Sequence, residues 1–197
     1  MSRLIESIKL LDGRFSNLSY HEQRMTRSLK ELFQGERQIN LSSILENLDY
    51  PKNGFYKCRI LYDNNTRHIE FIPYTLKPIS SLKVVVCDTI LYDHKYSDRN
   101  SIHQLMLQKK ECDDILIVKN GLVTDSSYAN IVFKNGVSWY TPDQCLLKGT
   151  MRESLLDAGL IEVQPMKVTD IVKFKKFKLI NAMLGFDGAE YDISNIL

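Results

Sequence analysis

Residues 120–156 read NGLVTDSSYANIVFKNGVSWYTPDQCLLKGTMRESLL, and the fold follows from how this stretch turns back on itself. Asn120-Gly121 and Asn135-Gly136 are hairpin signals, because both residue types tolerate the left-handed backbone of a tight turn. Each stands between strand-like runs, 115–119 with 122–125 and 129–134 with 137–140. Two successive hairpins imply an antiparallel sheet and argue against a doubly wound parallel one. Asp125 follows Leu122, Val123 and Thr124, and a carboxylate on such a strand needs a partner if it is buried. Farther on, Thr150-Met151-Arg152-Glu153 fits the capping box of a helix start, with Gly159 suited to that helix's end. A helix opening just after Gly149 offers backbone N–H groups and positive dipole potential, a natural seat for a phosphate.

Composition bounds the rest. A chain of 197 residues, 44% hydrophobic and 25% charged, can bury a core as one large domain or two small ones. A net charge of +2 gives no reason to expect a nucleic-acid partner. Lys173, Lys175, Lys176 and Lys178 alternate with Phe174 and Phe177, which reads as a solvated face. The cysteines at 58, 87, 112 and 145 are scattered and form no CxxC pair, so neither a metal site nor a redox motif is expected. The N-terminus carries acid and base inside its only apolar stretch, and no apolar run reaches membrane-spanning length. These features suggest a cytoplasmic protein with reduced thiols and no membrane association.

Taken in order, Leu4–Leu11 reads as a strand that Asp12-Gly13 turns back. Ser19-Tyr20-His21-Glu22 fits a capping box, followed by a helix with Met25, Leu29, Leu32 and Phe33 on one face and Gly35 at its end. His21, Arg24 and Arg27 lie off that stripe, and a solvated position is expected for His21. A short helix is expected over 42–48, then strands over 55–62 and 67–74 joined by Asp63-Asn64-Asn65. Pro73 and Pro78 bracket a linker, so the division expected is a small domain over 1–77 and a larger one over 78–197. A strand over 82–89 and a helix bearing Ile102, Leu105 and Met106 follow, with Ser97 or Asp98 as its cap. The remaining elements expected are a strand over 161–168, a helix over 169–174 and a strand over 178–184.

Three features could act together. Lys95 lies between a strand and a helix start, and a desolvated lysine becomes a neutral nucleophile able to form a Schiff base. Asp125 is the strand carboxylate. Gly149 and Thr150 form the anion-binding helix start, to which Arg24 could add a charge-assisted bond. With LIESIKLLDGRFSNLSYHEQRM, HKYSDR, VTDSSYANIVF, TPDQCLLKGTMRESLL and LINAM, the chain resembles the class IV aminotransferases, pyridoxal-phosphate enzymes of fold type IV, over nearly its whole length.

The resemblance implies an α+β protein of two small domains with largely antiparallel or mixed sheets, and pyridoxal 5'-phosphate as cofactor. Lys95 matches the lysine that bonds to the cofactor. Asp125 stands where the family usually has glutamate, five residues before Asn130, and would pair with the pyridine nitrogen. Being one methylene shorter, it asks strand or ring to sit closer. Arg24, Gly149, Thr150 and Met151 match the phosphate-binding positions, with Asn181 and Ala182 in the segment that completes the phosphate cup. Arg99 matches an arginine found near the lysine in lyase-like members, and the position that is tyrosine in some members is Asn100 here. Arg59 is a candidate for a substrate carboxylate, with an outward salt-bridging strand residue as the alternative.

Family sites lie between the two domains, usually beside a dimer partner, so a homodimer acting on a small amino substrate is implied. The flavour of SYHEQRM and HKYSDR and the compact length point to aminodeoxychorismate lyase, which forms 4-aminobenzoate and pyruvate in folate synthesis. The alternatives are an aminotransferase of branched-chain or D-amino acids, and a non-catalytic cofactor-binding or plain α/β protein.

Overall fold

The computed structural model describes residues 3–34 and 38–197. Two compact units emerge, Met1–Leu76 with His94–Asp98, and Lys77–Asp93 with Arg99–Leu197. The segment around Lys95 thus belongs with the N-terminal unit, although it lies beyond the linker between Pro73 and Pro78.

The first unit holds β1 (Leu4–Leu11), β2 (Arg14–Phe15), α1 (Leu18–Phe33), α2 (Leu41–Glu46), β3 (Phe55–Tyr62) and β4 (Arg67–Pro73). The strands form an antiparallel sheet in the order β2-β1-β3-β4. Alternation along β1 sends Leu4, Glu6, Ile8 and Leu10 inward, all fully buried, and Cys58, Ile60 and Tyr62 of β3 share their core. α1 covers this face with Met25 and Leu29. Each such aliphatic side chain contributes about 1.5–3 kcal/mol on burial. Glu6, the charge among them, has to be compensated.

α1 begins at Leu18 behind Asn17, whose left-handed backbone makes no side-chain cap, so Ser19 falls inside the helix and the expected capping box does not form. Glu22 instead accepts from the backbone N–H of Leu41 at 2.6 Å, tying α1 to the start of α2. The helix stops at Phe33 with Gln34 left-handed; Gly35 lies outside the described residues. α2 occupies Leu41–Glu46 rather than 42–48, because Asn40 caps it by accepting from Ser43 N–H at 2.9 Å.

The second unit holds β5 (Leu82–Val86), α3 (Asn100–Met106), β6 (Asp114–Lys119), β7 (Leu122–Ser126), β8 (Asn130–Asn135), β9 (Ser138–Pro142), α4 (Thr150–Asp157), β10 (Glu162–Gln164), β11 (Lys176–Ile180) and β12 (Tyr191–Asp192). They form a β5-β6-β7 sheet and a β10-β9-β8-β11-β12 sheet. Both hairpins are present. Asn120 and Gly121 take φ of 52° and 75°, the left-handed pair a tight hairpin requires. The second turn falls one residue later than its dipeptide suggests: Asn135 pairs with Ser138, leaving Gly136 and Val137 in the loop. β5–β6 and β9–β10 pair in parallel, which the segments containing α3 and α4 make possible as crossovers.

Several boundaries differ from the sequence expectation. β5 ends at Val86, the strand expected over 161–168 contracts to Glu162–Gln164, and the last strand shifts to Lys176–Ile180. The helix expected over 169–174 is a 3-10 turn, Val168–Lys173, in which Asp170 accepts from Lys167 N–H. Arg99, and not Ser97 or Asp98, occupies the N-cap of α3. Gly149 is the N-cap of α4, so Thr150 is its first helical residue and the second capping box is not formed; Glu153 accepts from Arg152 Nη1 at 3.0 Å instead.

β8 is buried on both faces: Ile131 and Phe133 join one core with Leu116, Val123 and Phe177, and Val132 joins another with Trp139, Leu155 and Ile180. Lys178 lies with them and is not solvated. Its ammonium donates to Phe186 O at 3.0 Å and sits 4.6 Å from the ring centroids of Trp139 and Phe186, a cation held by ring faces.

Candidate active site

In the first unit the inward Glu6 gathers two residues of α1. Arg24 donates through Nε to Oε1 at 2.9 Å and through Nη2 to Oε2 at 2.5 Å, a bidentate pair. His21 Nδ1 lies 2.6 Å from Oε2. Burial pushes the Glu6 carboxyl up, but the Arg24 charge and the His21 and Arg24 hydrogen bonds outweigh it and hold it near 2. The carboxylate is therefore an acceptor only, which fixes the proton of a neutral His21 on Nδ1. Burial in turn pushes His21 below its ordinary value, against the pull of Glu6, and the Lys95 charge adds to that depression. His21 is fully buried, contrary to the solvated position expected. The missed signal was Glu6 itself, a charge on the inward side of an alternating strand.

A lowered carboxylate stabilises the fold fully above its ordinary pKa of 4.5, and that contribution disappears as pH falls toward 2. Glu6→Gln is expected to cost about 3–5 kcal/mol at pH 7, since it leaves Arg24 buried without its counter-charge. The variant should also lose less stability than the parent between pH 4.5 and 2. Urea unfolding across that range, done on both proteins, measures the difference.

Lys95 is carried on a short addition to the edge of β1. Leu4 and Tyr96 form an antiparallel bridge, Ile5 N–H donates to Lys95 O at 2.9 Å, and Ser97 N–H donates to Arg3 O at 2.8 Å. His94 and Tyr96 turn toward α1: His94 Nδ1 lies 3.0 Å from Ser28 Oγ, and Tyr96 packs on the core that Leu4 belongs to. The backbone bond from Tyr96 N–H to His94 O at 2.9 Å makes Lys95 the centre of a tight three-residue turn, and its charge reaches His21. Arg59 donates to Glu70 at 2.7 Å across β3–β4, with both side chains half-exposed. The salt-bridged alternative for Arg59 is thus observed.

In the second unit the centre is Asp125. β7 carries one residue more than β6 between its paired positions, since Val118 faces Val123 while Leu116 faces Ser126. Such a bulge re-aims side chains. Thr124 uses it to donate to Ile117 O at 2.7 Å. Asp125 is buried and accepts from Asn130 Nδ2 through Oδ1 at 2.8 Å and from Leu147 N–H through Oδ2 at 3.0 Å. Burial drives its carboxyl up to about 6, against the opposing pull of the Leu147 and Asn130 hydrogen bonds and the Arg152 charge. Burial likewise pushes the neighbouring Cys145 thiol up to about 11, and the Asp125 charge adds to it.

Gly149 and buried Thr150 begin α4 immediately after this loop, with Met151 half-buried. Asn181 accepts from the N–H groups of Met183 and Leu184, both at 2.9 Å, so Asn181 and Ala182 begin a tight turn after β11. Arg99 donates to Ser127 O at 2.5 Å, and its buried Nε has no hydrogen-bond partner among the described residues. The structure therefore groups Arg24 and Lys95 in one unit, and Asp125, Gly149, Thr150, Met151, Asn181, Ala182 and Arg99 in the other. Asn130 was seen in the sequence only as part of a signature; its role as partner of Asp125 is visible only in three dimensions.

The residues of the second unit fit a flat, anionic, nitrogen-containing cofactor. A carboxylate buried among these donors retains lone pairs, and a protonated ring nitrogen would add a charge-assisted partner. The α4 N-terminus suits a phosphate. Among the described residues no His, Cys, Asp and Glu cluster could hold a metal, and no helix is long and apolar enough to cross a membrane.

The model of the family Amino-transferase class IV matches residues 3–187. The chain belongs to this family, and with it to the pyridoxal-phosphate-dependent enzymes. An uncharacterised protein of Haemophilus influenzae is 39% identical over 188 residues, 94% of this chain and 100% of that one. The crystal structure of a Haemophilus somnus protein provisionally assigned as a 4-amino-4-deoxychorismate lyase has a TM-score of 0.87 and 35% identity, covering 94% of this chain and 98% of that one. An aminotransferase from Brucella abortus, solved with pyridoxal phosphate bound, shares the fold with a TM-score of 0.71 at 15% identity, covering 96% of this chain and 83% of that one.

Proposed function

We propose that the protein is a pyridoxal-phosphate lyase that converts 4-amino-4-deoxychorismate to 4-aminobenzoate and pyruvate, a step of cytoplasmic folate synthesis, and that it works as a homodimer. The observation that carries the cofactor reading is Asp125, a buried carboxylate held by the Asn130 carboxamide and the Leu147 N–H. The likeness to the Haemophilus somnus protein supports the lyase over other reactions of the class.

In this reading Lys95 would hold the cofactor through its amine and would then serve as the base beside the substrate. The bound cofactor supplies an electron sink for the carbon that carries the substrate nitrogen. The Lys95 amine would take the proton from that carbon as general base and return it to the methylene carbon of the departing enolpyruvyl group, whose C–O bond breaks to give pyruvate. Asp125 keeps the pyridine nitrogen protonated. The α4 N-terminus from Gly149 to Met151 and the turn at Asn181 and Ala182 would hold the phosphate, and Arg24 is proposed for it by its match to the family's phosphate-binding arginine. Nε and Nη2 of Arg24 are already engaged by Glu6. Arg59 and Arg99 bind substrate carboxylates, with Glu70 competing for Arg59.

The discriminating assay supplies 4-amino-4-deoxychorismate to cofactor-loaded protein with no keto acid present. Formation of 4-aminobenzoate and pyruvate in equal amounts is expected. An absolute requirement for a keto-acid acceptor would assign the protein to the aminotransferases instead.

A further inference from the structure

We infer that Asn130 is a positioning residue: its carboxamide aims the Asp125 carboxylate at the cofactor ring, and residue 149 is glycine to make room for that carboxamide. The inference rests on the cofactor reading proposed above.

The geometry leaves Asn130 one orientation. Nδ2 donates to Asp125 Oδ1 at 2.8 Å and to Leu147 O at 3.0 Å, so both amide hydrogens are in use. A flipped amide would set its oxygen against two acceptors. Leu147 closes the ring, because its own N–H donates to Asp125 Oδ2 at 3.0 Å. Three residues from a strand, the next strand and a loop thus satisfy one another. The remaining atom, Asn130 Oδ1, points at Gly149, where an added Cβ would lie only 2.0 Å away. Gly149 has φ −73° and ψ 139°, ordinary values for any residue. Space, and not backbone freedom, therefore dictates glycine there.

This arrangement has a consequence for function. Asp125 belongs to the ring end of the proposed cradle and Gly149 to its phosphate end. One carboxamide couples them, so displacing it disturbs both. Arg152 lowers the Asp125 pKa, and the Cys145 thiol, pushed up to about 11 by burial and by the Asp125 charge, stays protonated in the neutral range.

The test uses Asn130→Ala, Gly149→Ala and the double variant, each shown to be folded by circular dichroism. The Asp125 carboxyl is titrated by carbon-13 NMR in cofactor-free protein, and pyridoxal-phosphate affinity is measured by absorbance. Asn130→Ala is expected to raise the Asp125 midpoint and to weaken cofactor binding about 10-fold or more, the effect of losing a hydrogen bond to a charged group. Gly149→Ala, whose methyl group expels the carboxamide, should do the same, and the double variant should be no worse than Asn130→Ala alone. A purely structural Asn130 would leave the midpoint in place. An unmoved midpoint in folded Asn130→Ala protein overturns the inference, as does a double variant in which the two losses multiply. If Asn130→Ala does not fold, the midpoint in Gly149→Ala decides by the same criterion. Parent protein that takes up no pyridoxal phosphate overturns the cofactor reading, and the inference with it.

Discussion

Lys95→Ala protein is expected to lose turnover by at least about 10²–10⁴-fold, the range associated with a positioned general base. The expectation follows from where the residue sits. Its backbone is pinned to β1 by the Ile5 and Ser97 hydrogen bonds, and His94 and Tyr96 on either side are anchored toward α1. The amine thus extends from a fixed backbone. A flexible surface lysine could be replaced by arginine at small cost. Lys95→Arg should instead be as inactive as the alanine variant, because guanidinium neither forms the covalent link nor accepts the proton. Steady-state assays of the three proteins, each saturated with cofactor, make the comparison. Loss of activity without change in unfolding midpoint would separate a chemical role from a structural one.

Asp125→Ala is the second large effect, an expected loss of about 10²–10³ in kcat, comparable with removing one preorganised charge-stabilising group elsewhere. Its pH signature is separable from that of Glu6. Burial raises the Asp125 carboxyl from 3.8 to about 6 in the cofactor-free protein. Both folded and unfolded chains are protonated there below 3.8, so the native state loses stability at this residue as pH climbs from 3.8 through 6. The deficit persists at higher pH. The difference in unfolding free energy between parent and Asp125→Ala, measured from pH 3.5 to 8 without cofactor, should drift against the parent across that window. Pyridoxal phosphate should offset the drift in the parent alone. Glu6 acts with the opposite sign and at lower pH, which keeps the two apart.

The sequence made some of this legible and hid the rest for identifiable reasons. Strand pairs came through because period-two alternation and Asn-Gly turns are local signals: Leu4–Leu11 and Phe55–Tyr62 fall where the pattern puts them. Helix starts did not, since two residues with capping chemistry were already engaged otherwise, Glu22 with Leu41 and Glu153 with Arg152. The return of His94–Asp98 to the first unit depends on a long-range pairing with β1 that no local pattern announces. His21 and Lys178 show the same limit. Each reads as a surface polar residue, and each is buried because a distant partner, Glu6 or the Trp139 and Phe186 rings, receives it. At the site, the resemblance supplied the expected residues, whereas the clamp of Asn130 and Leu147 on Asp125 required coordinates.

The most direct measurement is borohydride reduction of the protein loaded with pyridoxal phosphate, followed by proteolysis and mass spectrometry. The account predicts a single pyridoxyl group on Lys95, formed with loss of the long-wavelength absorbance and absent from Lys95→Ala protein. A modification on another lysine, or none in protein that is folded and saturated with cofactor, would contradict it.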